Sequence, residues 1–471
     1  MPLGLSFRLS LSLREREFPL IAQRNPIDLS WIDEFVARIR PYVFVRERDN
    51  VIIKRPNQAQ KLNPQGVRIL KVLLAGTSIQ QLLDEMGREP RKIHDIQLFM
   101  FEVKRFLEGR LDEQNRTCAV EVRSFDLQFS ELPILSEVAV TYRCNLKCTF
   151  CYAGCNCTTN PVGDNREMST SEIKQVLQKI YYDAEVPSVS LTGGEPTLRT
   201  DLPELIRYAK GLGMWVNLIT NGTRISRESA RALADAGLDS AQVSLEGVTT
   251  EVHERVTMIP QSFGPTVAAV RHLKKAGIPV HTNTTINRDN LHECARMPAF
   301  VKQHLGNKKF SMNLVVPTGS AALNQRLVVR YSELGSHLTA IAAESKRHDV
   351  EFMWYSPTPM CMFNPVANGL GNKGCSACDG LLSVGANGDV IPCASYDESV
   401  GNLLQQDVQE IWTARRAEDF RNKALAHPEC RNCEHFAICN GACPLYWRQL
   451  GFAELSDRQG FRPVTTEHFE Q

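Results

Sequence analysis

The chain has 471 residues, of which 43% are hydrophobic and 23% charged, the profile of an ordinary globular protein of more than one domain. A formal net charge of +1 argues against a bulk polyanion partner, and no apolar run reaches the length of a membrane span. Fifteen cysteines, mostly in short-spaced groups, suit metal ligation in a reducing cytoplasm rather than a disulfide framework, and residues 1–20 carry arginines where a signal peptide would be cleanly apolar.

Residues 1–39 form an N-terminal segment. From residue 40 the signals sharpen. Val43-Phe-Val and Val51-Ile-Ile flank Glu47-Arg-Asp-Asn50 and predict a β-hairpin. Asn63-Pro64 predicts a capped helix with Val67, Leu70, Leu73 and Leu74 on its apolar side and Gly76 at its end. Ser78 opens a second helix bearing Ile79, Leu82, Leu83 and Met86. A third runs from Pro90 to Leu107, with Ile93, Ile96, Met100, Val103 and Phe106 at three- and four-residue steps. Residues 40–115 therefore predict a small winged-helix-like domain. The order resembles the PqqD-type domain, or RiPP recognition element, which implies that the hairpin edge and third helix hold the leader of a ribosomally made precursor peptide by strand addition. Two rivals are a helical cap that only supports its neighbour and a DNA-binding unit. Residues 41–112 hold thirteen Lys/Arg against nine Asp/Glu, a mild surplus with no dense basic stripe on the third helix.

From about 130 to 325, strand and helix signals alternate. Val138-Ala-Val-Thr leads into Cys144-Asn-Leu-Lys-Cys148-Thr-Phe-Cys151. Three thiolates at spacings of four and three can hold three irons of a cubic cluster and leave the fourth open, as a catalytic metal site does. Zinc is the rival, with Cys155 near enough to be a fourth ligand. Ser169-Thr-Ser-Glu172 opens a helix, and Val189-Ser-Leu-Thr is a buried strand ending in Gly193-Gly194-Glu195-Pro196. Helices over 201–210 and 227–236 alternate with strands at 215–220 and 242–246; a further helix ends near Gly277, before strands at 280–286 and 310–316. Such alternation predicts an α/β fold with a parallel sheet whose site lies at the carboxyl ends of the strands. There the sequence offers Asn221, Ser244, Glu246, Asn283 and Asn287, types that pair well with ribose and adenine.

The cysteine loop and the Gly-Gly-Glu-Pro turn together resemble the radical S-adenosylmethionine superfamily. The resemblance implies a partial (βα)6 TIM-like barrel. It implies a [4Fe-4S] cluster on Cys144, Cys148 and Cys151, and an S-adenosylmethionine site using Gly193, Gly194, Glu195, Pro196, Asn221 and Ser244, the last at the ribose. It implies that one electron, from a donor such as a flavodoxin or ferredoxin, cleaves the sulfonium to a 5′-deoxyadenosyl radical that takes hydrogen from substrate.

Residues 355–450 hold Cys361, Cys375, Cys378, Cys393, Cys430, Cys433, Cys439 and Cys443, enough for two fully ligated cubanes. Gly388-Asp-Val-Ile-Pro-Cys393 and the spacing of the last four cysteines resemble the SPASM extension of peptide-modifying radical enzymes, which implies two auxiliary [4Fe-4S] clusters, three in all. Relatives carry one more cysteine after that string, whereas residues 444–471, including the tail from 451, contain none. The resemblance suggests Cys361, Cys375, Cys393 and Cys443 for one cluster and Cys430, Cys433, Cys439 and Cys378 for the other. Several zinc ions are the alternative. Cys155 and Cys157 read as loop thiols, Cys118 and Cys294 as small hydrophobes. No histidine sits in an acid–base motif, so no substrate-side catalytic group is named. The expectation is a cytoplasmic enzyme acting on a ribosomal peptide, without nucleic acid or membrane. A tetrapyrrole-modifying or sulfatase-maturing relative is the second reading, and an iron–sulfur redox sensor binding DNA the third.

Overall fold

The structure, a computed structural model, describes residues 8–11, 28–110, 120–123, 129–155 and 166–456; Cys118, Cys157 and the tail from 457 lie outside them. The chain makes two compact units, one within Leu5–Ile134 and one built on Leu135–Gln471. Among the described residues no helix is long and apolar enough to cross a membrane.

In the N-terminal unit, strands β1 (Arg8–Leu11), β2 (Val43–Arg46), β3 (Val51–Lys54), β4 (Gln58–Leu62) and β5 (Val120–Arg123) form a sheet in the order β2-β3-β4-β1-β5. Helices Pro64–Ala75, Ile79–Met86 and Pro90–Leu107 follow the meander. Their starts are set locally. Asn63 Oδ1 accepts the Gly66 N–H at 2.7 Å, and Ser78 and Gln81 exchange side-chain and backbone hydrogen bonds. Leu70, Leu73, Leu82, Ile96, Phe99 and Val103 bury their faces in one core. Helix Ile32–Ile39, within the N-terminal segment, adds Ile32 and Val36 to that core. The expected hairpin also has a third strand, β4, whose Gln-Ala-Gln-Lys-Leu is too polar to read as one; pairing with β3 decides it. Buried Arg46 pairs with Asp49 at 2.9 Å and donates to the Pro133 and Leu132 carbonyls, while Asp49 accepts the Glu131 N–H at 3.0 Å. Strand β2 is a sheet edge.

The second unit carries β6 (Leu135–Thr141), β7 (Ser188–Gly193), β8 (Trp215–Thr220), β9 (Ser240–Ser244), β10 (Val280–Ile286), β11 (Lys309–Leu314) and β12 (Glu351–Trp354), all parallel and neighbouring in sequence order. The crossovers contain helices Thr170–Tyr182, Leu202–Leu212, Arg227–Asp235, Phe263–Lys275, Met297–Gln303 and Tyr331–Arg347. Strand β13 (Leu381–Val384) adds in parallel beside β6, then β14 (Asp389–Ile391) and β15 (Gly401–Asn402) add antiparallel, leaving an open barrel with β12 and β15 at its edges. The strands alternate. Val189, Leu191, Val216, Leu218, Ala241 and Val243 are fully buried. On the opposite face Asn217 donates to Ser190 Oγ at 3.2 Å, Ser240 to Asn217 at 2.8 Å and Asn283 to Asn313 at 2.7 Å. The sheet thus presents a hydrogen-bonded polar face.

Two differences from the sequence expectation concern the core. It does not stop at 325: helix Tyr331–Arg347 and β12 extend it, a four-residue strand being too short to show a period. The helix expected to end near Gly277 is two, Thr250–Thr257 and Phe263–Lys275, parted where Met258 and Gln261 take φ of 58° and 63° around Pro260.

Candidate active site and cysteine clusters

The loop carrying Cys144, Cys148 and Cys151 leaves β6 at the carboxyl end of the sheet and is fixed along its length. At its start, Thr141 Oγ1 and the Tyr142 N–H both donate to Glu167. The Gly194 N–H donates to the Thr141 carbonyl at 2.7 Å and the Glu195 N–H to the Arg143 carbonyl at 2.8 Å. Further on, Lys147 and Thr149 donate to the Thr257 and Val256 carbonyls, and the Ser320 N–H reaches the Cys151 carbonyl at 2.8 Å.

The glycine pair explains how the loop lies so close to the next strand. A Cβ on Gly193, where φ is +136°, would fall 2.1 Å from the Thr141 oxygen, and one on Gly194 would fall 2.3 Å from that of Arg143. The backbone of the cysteine loop fills the space a side chain would take at these two Cα atoms. The pair acts as a clamp on that loop.

Glu195 is fully buried. It accepts from the Thr197 N–H and hydroxyl, from Thr220 Oγ1 at 2.7 Å and from the Asn221 N–H at 2.7 Å. Its carboxylate therefore ties the end of β7 to the end of β8, and buried Pro196 begins the short turn that follows. Burial pushes its pKa up against those hydrogen bonds. Asn221 donates to Asn145 Oδ1 at 3.0 Å, points an N–H toward Cys144 Sγ at 4.0 Å and accepts from Thr223. Half-buried Ser244 ends β9. Glu246, two residues on, accepts the Thr285 N–H at 2.9 Å; burial pushes it up to about 8. Asn287 is committed to its own turn, bonding the Thr285 carbonyl and the Asp289 N–H.

The three loop thiols lie within electrostatic reach of one another. Burial pushes Cys144 up to about 11 and Cys148 well above the ordinary thiol range, while a hydrogen bond from the Cys155 thiol brings Cys151 down to about 6. Cys144 Sγ also accepts the Leu146 N–H at 3.4 Å. Three thiolates so desolvated need a cationic partner. Among the described residues no three His, Cys, Asp or Glu side chains are gathered closely enough to hold a single metal ion. A cubane, whose irons take one thiolate each, fits the more open set.

In the cysteine-rich part the structure draws two groups. Cys393 and Cys443 each feel Cys375, Cys378 feels Cys375, and the Cys378 N–H bonds the Pro392 carbonyl. Lys423 and Arg421 donate to the Cys375 and Cys378 carbonyls, so two cations border this group. The second group is Cys430, Cys433 and Cys439, with Cys361 beside Cys430 and the Met360 N–H on Cys439 Sγ at 3.4 Å. Cys361 and Cys378 thus stand in each other's places relative to the division suggested by the resemblance. Spacing could not decide this, because Cys361 reaches its group through tertiary contact. Cys294 is buried and donates to the Asn290 carbonyl, as a small core residue.

The sequence reading missed Glu137. It sits mid-strand in β6, accepts from Ser383 Oγ at 2.6 Å and from the Ala394 N–H, next to Cys393, and interacts electrostatically with Tyr142 and Tyr152. Burial pushes its pKa up. A charge inside an otherwise apolar strand was the available signal.

The sequence pattern of the Radical SAM superfamily matches residues 138–297, and that of an iron–sulfur cluster-binding domain, SPASM, matches 375–434. The chain is 30% identical to the AdoMet-dependent heme synthase of Oleidesulfovibrio alaskensis over 357 residues, covering 69% of this chain and 85% of that protein. It is 35% identical to the PqqA peptide cyclase of Rhodopseudomonas palustris over 353 residues, covering 71% and 86%. The fold is similar to that of Streptococcus suis SuiB bound to its precursor peptide SuiA, with a TM-score of 0.61 at 14% identity, over 86% of this chain and 95% of that one.

Proposed function

Because this chain belongs to the radical SAM superfamily of enzymes and carries the SPASM extension, we propose that it modifies a ribosomally made precursor peptide by hydrogen abstraction, with three [4Fe-4S] clusters. The observation that carries the reading is the clamp: three thiols at the carboxyl end of β6, held against the Gly193-Gly194-Glu195 turn. A cluster bound there would supply one-electron reducing chemistry toward S-adenosylmethionine. The chain's own residues do the positioning. Cys144, Cys148 and Cys151 would hold the irons, and the Glu195 carboxylate, by fixing Thr220 and Asn221, holds the polar strand ends where the nucleoside would lie. The hydrogen-bonded polar face of the sheet suits a peptide backbone. A flavodoxin or ferredoxin would supply the electron, in the reducing cytoplasm.

The N-terminal unit supports a peptide substrate. The likeness to SuiB covers more of the chain than the unit built on 135–471 alone contains, so it extends into the N-terminal residues. Edge strand β2 offers main-chain groups for an added leader strand, with helix Pro90–Leu107 as the companion surface. Tetrapyrrole chemistry is the second reading, favoured by the 30% identity to a heme synthase. That match covers 69% of the chain, much as the peptide cyclase's covers 71%, so the two readings are separated by the substrate that gains a mass change.

The test is anaerobic reconstitution with a reductant and S-adenosylmethionine. We expect 5′-deoxyadenosine from the wild type and none from the Cys144→Ala/Cys148→Ala/Cys151→Ala variant; undiminished cleavage in that variant would overturn the reading. A peptide encoded beside the gene should gain a mass change that a porphyrin precursor does not. The full chain should bind its leader by calorimetry, with only weak, salt-sensitive binding to duplex DNA.

A further inference from the structure

We propose that Cys361 supplies the fourth thiolate to the cluster held by Cys430, Cys433 and Cys439, taking the place of a cysteine beyond Cys443, and that Cys378 completes the other cluster with Cys375, Cys393 and Cys443. The assignment rests on the two-auxiliary-cluster reading above and adds which residues close each one.

The arithmetic of the chain frames the problem. The string Cys430, Cys433, Cys439 and Cys443 contains four thiols, but Cys443 lies with Cys375 and Cys393. That leaves three for the second cluster, and no cysteine follows in residues 444–471. The cysteines left to complete the set lie upstream, at Cys361 and Cys378.

The upstream strap is built to deliver one. It leaves the edge strand β12 at Trp354, whose indole N–H donates to Thr358 Oγ1 at 2.8 Å; that hydroxyl in turn donates to the Ser356 carbonyl at 3.0 Å. Tyr331 Oη donates to the Pro357 carbonyl at 2.8 Å. The Met362 and Phe363 N–H groups close a turn on the Pro359 carbonyl at 2.9 and 3.1 Å, and Phe363 is buried. Cys361 is therefore held at the middle of a fixed turn. Its neighbour Met360 donates its N–H to Cys439 Sγ at 3.4 Å, a backbone-to-sulfur bond of the kind that supports ligating thiolates. Cys361 and Cys433 are the exposed members of their group, so this cluster lies nearer the surface than the one bordered by Lys423.

Cys378 is the converse case. It is 1% exposed, adopts φ of 47°, and its N–H bonds the residue preceding Cys393. It meets Cys375, Arg421 and Pro392, all on the first group's side.

The experiment uses the full chain carrying Cys144→Ala, Cys148→Ala and Cys151→Ala, so that only auxiliary iron remains. About eight irons and eight sulfides per chain are expected in this background. Adding Cys361→Ala should convert one cluster to a three-iron form or remove it, read as a drop of about one to four irons and a changed Mössbauer and EPR spectrum. Cys361→Ser, nearly isosteric, should perturb the same cluster more mildly and guards against misfolding. Pairing then identifies the cluster. Cys361→Ala combined with Cys430→Ala should lose no more than Cys430→Ala alone, whereas combined with Cys393→Ala it should damage both clusters. Eight irons with unchanged spectra in Cys361→Ala, or additive loss with Cys430→Ala, would overturn the assignment while leaving two clusters intact. About four irons in the background itself would overturn the two-cluster reading, and the assignment with it.

Discussion

Replacing Gly194 with alanine tests the clamp directly. The new methyl would start 2.3 Å from the Arg143 oxygen and 2.7 Å from that of Tyr142, both backbone atoms that no side-chain rotation can move. The loop must retreat by about 0.7 Å to reach the 3.0 Å limit of real contacts. Overpacking of this kind costs about 1–3 kcal/mol. The retreat also stretches the Gly194-to-Thr141 and Glu195-to-Arg143 hydrogen bonds, each worth about 1 kcal/mol. Stretched and not broken, the two bonds lose about half of that each, so the total is about 2–4 kcal/mol, and the displaced segment immediately precedes Cys144. If that energy is lost from the productive arrangement, reductive cleavage of S-adenosylmethionine should slow by about 30- to 1000-fold. The assay is 5′-deoxyadenosine formation by the reconstituted enzyme, normalised to iron. Gly211→Ala is the control, because its added methyl meets nothing within 4 Å in helix Leu202–Leu212. A Gly194→Ala enzyme within threefold of wild type, with unchanged cofactor affinity, would refute the reasoning.

Three further outcomes are expected. Arg46→Ala leaves Asp49 buried without its cation and should cost about 3–5 kcal/mol, measured as denaturant unfolding of the N-terminal unit in the full chain, with Arg46→Lys recovering only part. Burial holds His253 down to about 4 while its Nδ1 accepts the Glu246 N–H at 3.2 Å, so the folded chain binds fewer protons there than the unfolded one. Its contribution is complete above the unfolded value of about 6.5 and is lost as pH falls toward 4, by up to about 3 kcal/mol; melting curves of His253→Gln should lack that share of the acid dependence. Glu137→Gln keeps an acceptor for Ser383 and the Ala394 N–H but no negative charge beside Cys393, so it should raise the reduction potential of the neighbouring cluster while leaving S-adenosylmethionine cleavage within a few-fold of wild type.

The sequence by itself determined whatever is carried by short-range chemistry. The loop Cys144–Cys151 and the Gly193–Pro196 turn were legible because a ligand set and a tight turn are fixed by residue type at close spacing. Helices such as Pro90–Leu107 and strands such as Trp215–Thr220 were legible because their apolar periods span several turns or a clear alternation. Tertiary structure decided what depends on a partner distant in sequence. Strand β4 is a strand because β3 pairs with it, and β12 because β11 does. That the glycine pair makes room for the backbone of the cysteine loop was visible only once the two segments were packed together. The eight cysteines of residues 361–443 were legible as metal-ligand types, but which of them lie together depends on a strap from residue 354 to Cys361 that brings Met360 against Cys439, 79 positions away. Cysteines far apart in sequence compete on equal terms for a metal, and only the packing of the chain between them selects which can meet.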